Sequence, residues 1–126
     1  MKTNSVVWFE IYVAEMARAR KFYEAVLGVT LEPADKMAED WPEMWMFPGE
    51  DNACGASGAL VKMDGVSPGG GGTLVYFSCE DCAEQAGRVL ANGGQVMREK
   101  FAIGPYGFIA LATDTEGNMI GLHSMR

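Results

Sequence analysis

Alternation along residues 6–13 (VVWFEIYV) sets Val7, Phe9, Ile11 and Val13 on one face of a strand, and Val6, Trp8, Glu10 and Tyr12 on the other. The first face is wholly apolar and belongs in a core. The second holds a carboxylate between two large aromatics, an odd surface to leave facing water and a good one for orienting a polar ligand or accepting a proton. Two other groupings could do chemistry by residue type. Cys79-Glu80-Asp81-Cys82 is a C-x-x-C at a strand-to-helix junction, where a helix N-terminus stabilises a thiolate. Alternation, however, puts Cys79 on the core side, and the two acids between the thiols oppose ionisation. Packing is the better reading of the pair. The glycine run at 69–72 has no following Lys and no G-K-[ST] ending, so it reads as a flexible linker and not as a phosphate cradle.

These groups need a scaffold, and the periodicity supplies one. From Glu15 the spacing turns helical: Met16, Ala19, Phe22, Tyr23, Val26 and Leu27 share a face, with Arg18, Arg20, Lys21 and Glu24 largely between them. Gly28 then stands where a helix end takes a left-handed residue. The unit recurs. Laying Gly28 over Gly94 puts residues 14–17 over 80–83, the strand from Trp8 over the strand from Leu74, and the two cysteines over Val13 and Met16. An internal repeat of this kind governs the fold. In the first copy, strands are expected at 29–32, 43–48 and 56–63, with an acidic loop at 33–42. In the second, a strand at 73–79 leads to a helix at 81–92. Strands at 95–101, 108–113 and 119–125 follow, with turns at 104–107 and 114–118. Phe9, Phe22 and Phe77 fall on core positions. The pattern predicts an α+β fold of two βαβββ modules in tandem, eight strands and two helices, with mostly antiparallel sheet. Module one covers about 5–64, the Gly-rich linker 67–72 and module two about 73–126, all within a single domain, 1–126.

At 126 residues the chain can bury a real core. Ten basic against seventeen acidic residues give a net charge of −7, which argues against a nucleic-acid partner. No stretch approaches the roughly 20 apolar residues of a membrane span, and no signal-peptide pattern opens the sequence. Three cysteines, few and odd in number, are simplest in a reducing cytoplasm.

The sequence resembles the vicinal oxygen chelate superfamily, which includes glyoxalase I, extradiol dioxygenases and the bleomycin-resistance proteins. The resemblance spans essentially the whole chain. It rests on the strand-helix start ending in Phe22-Tyr23 and Val26-Leu27-Gly28, on Asn92-Gly93-Gly94, and on Gly107-Phe108-Ile109-Ala110 leading to Asp114-Thr115-Glu116-Gly117-Asn118 and a last strand. It implies that the eight-stranded sheet system is curled around a cleft, and that the protein is a homodimer. The superfamily's enzymes usually hold a divalent metal on two His and one or two Glu, from the first and last strand of each module. The matching positions here are Trp8, Gly58 or Ala59, Leu74 and Gly121, and the chain has a single His. None of those side chains is a metal ligand. No metal or other cofactor is therefore expected.

Two residues further along three of those strands stand Glu10, Tyr76 and His123, and a step of two keeps the same face. The resemblance thus implies a carboxylate, a phenol and an imidazole facing the cleft, able to transfer protons or orient a ligand. Trp8, Tyr12, Leu74, Tyr106 and Phe108, with Trp41 and Trp45, would wall it. The expected function is binding of a small organic molecule without the usual metal. The alternative is a lyase, isomerase or dioxygenase-like enzyme using Glu10 and His123, with a shifted metal site.

Overall fold

In the computed structural model, which describes residues 4–36, 38–50, 52–116 and 118–126, the elements follow the order that the repeat requires. The first copy contains β1 (Val6–Tyr12), α1 (Met16–Leu27), β2 (Glu32–Pro33), β3 (Glu43–Met46) and β4 (Ser57–Lys62). The second contains β5 (Thr73–Ser78), α2 (Cys82–Val89), β6 (Gln95–Ala102), β7 (Phe108–Thr113) and β8 (Met119–Ser124). Strand order runs β2-β3-β4-β1 in one copy and β5-β8-β7-β6 in the other. In each, the first strand pairs parallel with the last, and the other pairings are antiparallel. Two βαβββ modules of α+β type are the result. The contacts divide the chain into two compact units, 8–73 and 1–7 with 74–126.

In the first unit, α1 covers the face of β1 that carries Phe9 and Ile11. Its core joins Val13, Met16, Leu31 and Leu60, with Ala19, Tyr23, Trp45 and Phe47 packed against them. Gly28 takes φ 67°, and its N–H donates to the Glu24 carbonyl. Three expectations need correction here. Phe22, Val26 and Leu27 are exposed, at 59%, 63% and 55%, and Phe22 is not a core residue. The helix seats itself on the line Met16, Ala19, Tyr23, with the Arg20 guanidinium 3.4 Å from the centre of the Trp45 ring. Phe22 and Val26 are thereby turned to the far flank. Trp45, in turn, lies on the helix side and walls no cleft on the opposite face. The strand expected at 29–32 shrinks to Glu32–Pro33. Leu31 is instead drawn into the helix core, its N–H held by the Glu24 carboxylate at 2.9 Å.

The second unit builds its core from Cys82, Ala86, Ala110 and Leu122, with Phe77, Cys79 and Phe108 against them. Asp81 caps α2 by accepting from the Ala83 N–H at 3.0 Å, and the Cys82 N–H donates to the Ser124 hydroxyl at 3.0 Å. The helix expected to reach residue 92 ends at Val89 and tightens into a 3-10 turn, Leu90–Asn92. Two register shifts interrupt β6: Val96 pairs with Ala112, Arg98 with Leu111 and Phe101 with Ile109. Each inserts one extra residue opposite β7, as a β-bulge does.

Candidate functional site

In the first unit, Trp8, Glu10 and Tyr12 stand together on the face of β1 opposite α1. The Trp8 indole N–H donates to Glu10 Oε2 at 3.1 Å, and the Tyr12 hydroxyl donates to Glu10 Oε1 at 2.6 Å. Glu10 and Trp8 are half-buried and Tyr12 is buried. Both donors are neutral, so they fix the direction of the carboxylate without cancelling its charge. An ionised carboxylate has about four acceptor positions, and lone pairs on both oxygens are left over. The register adds Met44 and Met46 of β3 and Ala59 of β4 to this face. It is an oriented acceptor set in apolar surroundings.

In the second unit, Tyr76 and His123 share the sheet face opposite α2. The buried Tyr76 ring lies across Gly121, where a Cβ would come within 2.2 Å of Tyr76 Cδ1. Half-buried His123 places Nε2 at 2.6 Å from the Tyr106 carbonyl. A carbonyl only accepts, so Nε2 carries the proton and, in the neutral ring, Nδ1 keeps its lone pair. Tyr106 therefore contributes its backbone to this arrangement, and its ring is 61% exposed. Leu74 is buried on the same strand face as Tyr76.

Phe108 does not belong to this face. It packs with Cys82 and Ala110 on the helix side, and the Lys100 ammonium lies 4.7 Å from the centre of its ring. The β7 alternation that faces Ile109 toward His123 turns Phe108 away. Trp41 sits in the loop before β3, half-buried, with its N–H bonded to the Ala38 carbonyl.

One cation on this second face escapes a reading by alternation. Counting by twos from Val96 puts Arg98 beneath α2, but the bulges of β6 turn it to the opposite side. There it pairs with Leu111, and its guanidinium stacks 3.5 Å from the centre of the Phe101 ring. Neither bulge is marked by Gly or Pro in residues 95–102, so nothing in the sequence announces the switch.

The cysteine pair behaves as packing. Cys82 is fully buried and Cys79 partly so, and burial is the main cause that pushes the Cys79 thiol above its ordinary range, with Cys82 adding to it. The neighbouring acids, expected to be the cause, are not. Two cavities open in the first unit. One, of about 250 Å³, lies on the helix side among Phe9, Tyr23, Leu27 and Phe47. The other, of about 360 Å³, lies beside the glycine linker and touches Tyr12. Neither is lined by Trp8 or Glu10.

The residues that the resemblance matches to the superfamily's metal ligands do not fit an ion. The Trp8 nitrogen is a proton donor already bonded to Glu10, and Leu74 has no donor atom. Gly121 lies under Tyr76, and Gly58 lies under the Phe9 ring. Among the described residues no group of three or more His, Cys, Asp or Glu is gathered in one place.

No curated protein matches the sequence. Among solved structures, a hypothetical protein of Bacillus halodurans C-125 is similar at TM-score 0.71 and 15% identity, over 99% of this chain and 96% of that one. A Streptomyces coelicolor methylmalonyl-CoA epimerase in complex with 2-nitronate-propionyl-CoA follows at 0.66 and 16%, covering 98% of each chain. The methylmalonyl-CoA epimerase of Mycobacterium tuberculosis reaches 0.65 and 16%, over 97% of this chain and 88% of that one. At such identities these likenesses concern the fold. A family profile described as Glyoxalase/Bleomycin resistance protein/Dioxygenase superfamily matches residues 5–122. With nearly the whole chain matched and both βαβββ modules present, the protein belongs to the glyoxalase/bleomycin resistance protein/dioxygenase superfamily.

Proposed function

We propose that this protein binds a small organic molecule and does so without the superfamily's usual divalent ion. The observation that carries the reading is Glu10. A half-buried carboxylate is aimed by an indole N–H and a phenol on its own strand face, two residues from Trp8, which the resemblance matches to a metal-ligand position. Such a group recognises a hydrogen-bond donor or a cation on a flat or apolar molecule, the aromatic flanks supplying contact area. The working form is a homodimer in a reducing cytoplasm. The exposed apolar stripe Phe22, Val26 and Leu27 supports an interface, and the free thiols of Cys54, Cys79 and Cys82 suit that compartment. No helix among the described residues is long and apolar enough to cross a membrane.

A panel of aromatic amines and alcohols, followed by tryptophan fluorescence with Trp8→Phe as the assignment control, tests the reading. A compound that binds the native protein should bind about tenfold more weakly to Glu10→Gln, which keeps the shape and loses the charge. Equal affinity in the variant, or no binding across the panel, contradicts it.

The His123 tautomer supports a second reading, a lyase or isomerase whose candidate proton-transfer residues are Glu10 in the first unit and His123 in the second, each taken by itself. On that reading, Glu10→Gln and His123→Ala lose turnover while the substrate still binds. A protein that only binds has no turnover to lose.

A further inference from the structure

We propose that Arg98 is an anion-binding residue, and that the second unit takes a small organic carboxylate on the sheet face shared by Arg98, Phe101, Tyr76 and His123; this rests on the small-molecule reading above. Bulges are features that re-aim a side chain, and the two in β6 bring a guanidinium out from the helix side. On that face the register sets two rows. Arg98, Leu111, Gly121 and Tyr76 form one, while Phe101, Ile109, His123 and Ser78 form the other.

The Arg98 side chain is held in place by Phe101, with 3.5 Å from guanidinium carbon to ring centre. Among the described residues it enters no ion pair, whereas Arg18, Arg20 and Lys100 each have a carboxylate partner. A guanidinium stacked on a ring keeps its edge N–H groups for an external acceptor, in the fork that matches a carboxylate. One guanidinium balances one negative charge, and a net charge of −7 disfavours a polyanion. Neighbouring strands are about 4.8 Å apart and same-face residues on one strand about 6.8 Å apart, so the Arg98 and His123 positions, two strands and one row apart, are separated by about 12 Å. That span accommodates a small aromatic acid. Ile109 and Leu111 supply the apolar floor between them, and His123 Nδ1 meets the far end of the molecule.

The chain has one His, so its C2–H proton signal is an unambiguous reporter of this face. 2-Naphthoate and its neutral isostere 2-naphthamide are titrated into the native protein, Arg98→Gln, Arg98→Lys and the remote control Arg88→Gln, and followed by NMR. The expected result is naphthoate binding about tenfold tighter than naphthamide, with the His123 signal moving. Arg98→Gln should abolish the preference, Arg98→Lys retain part of it through charge alone, and Arg88→Gln keep all of it. Equal affinity of the two probes for the native protein, or a preference that survives Arg98→Gln, overturns the assignment and leaves the small-molecule reading standing. If neither probe moves any resonance, the carboxylate assignment falls, while the Glu10 reading is decided separately by the amine and alcohol panel.

Discussion

At the scale of single residues, the positions that the resemblance matches to metal ligands serve packing. Gly121 is the clearest case, since the Tyr76 ring occupies the space a side chain there would need. Gly121→Ala forces either the buried ring or β8 to move. It should cost about 1–3 kcal/mol, the usual penalty for overpacking a core, read as a lower urea midpoint with unchanged slope. A loss of only a few tenths would show that Tyr76 is free to swing away. The strand face of Glu10 was legible from sequence because period-two alternation is reliable on a regular strand, and Trp8 and Tyr12 fall on the same face. Those of Arg98 and Phe108 were not. A bulge reverses the faces of a strand without changing its composition, and β7, paired on both sides by β8 and β6, is apolar at every position from Phe108 to Ala112, so alternation does not tell its two faces apart.

At the scale of elements, the repeat made both modules readable, and β7 falls on the expected residues. The errors have local causes. Leu31 is worth more against Met16 and Leu60 than in a longer β2, and α1 seats on a narrower seam than its apolar residues suggest. The start of α2 carries a pH-dependent device. Asp81 caps the helix and holds Lys100 at 2.8 Å, and that ammonium, with the Ala83 N–H, draws its carboxyl below the ordinary 3.8. A carboxylate with a depressed folded-state pKa adds stability that is present above its unfolded value and disappears as pH falls through the folded one. Asp81→Asn keeps a capping side chain but loses the ion pair. Its melting temperature should fall below the native value at neutral pH, with the gap closing in acid. A gap that is constant with pH would show that the ion pair with Lys100 is not its source.

At the scale of the whole molecule, the exposed side of α1 is the feature a monomer explains least. Phe22 and Val26 sit one turn apart and well over half exposed, with Leu27 beside them. Sedimentation at micromolar concentration should give a dimer, and Phe22→Asp should shift it toward the monomer. A native monomer under those conditions would refute the proposed assembly. The superfamily's fold is present in both modules, while the positions that the resemblance matches to metal ligands carry an indole, a leucine and glycines or an alanine. On the reading proposed above, function in this chain rests on directed hydrogen bonds and apolar contact, with Glu10 as their fixed point.

Native mass spectrometry of untagged protein, before and after exposure to zinc, nickel and manganese, tests that claim most directly. The account predicts no stoichiometric ion as purified and none gained. One ion per chain, lost in His123→Ala, would contradict it and make the protein a candidate for metal-dependent chemistry with a relocated ligand set.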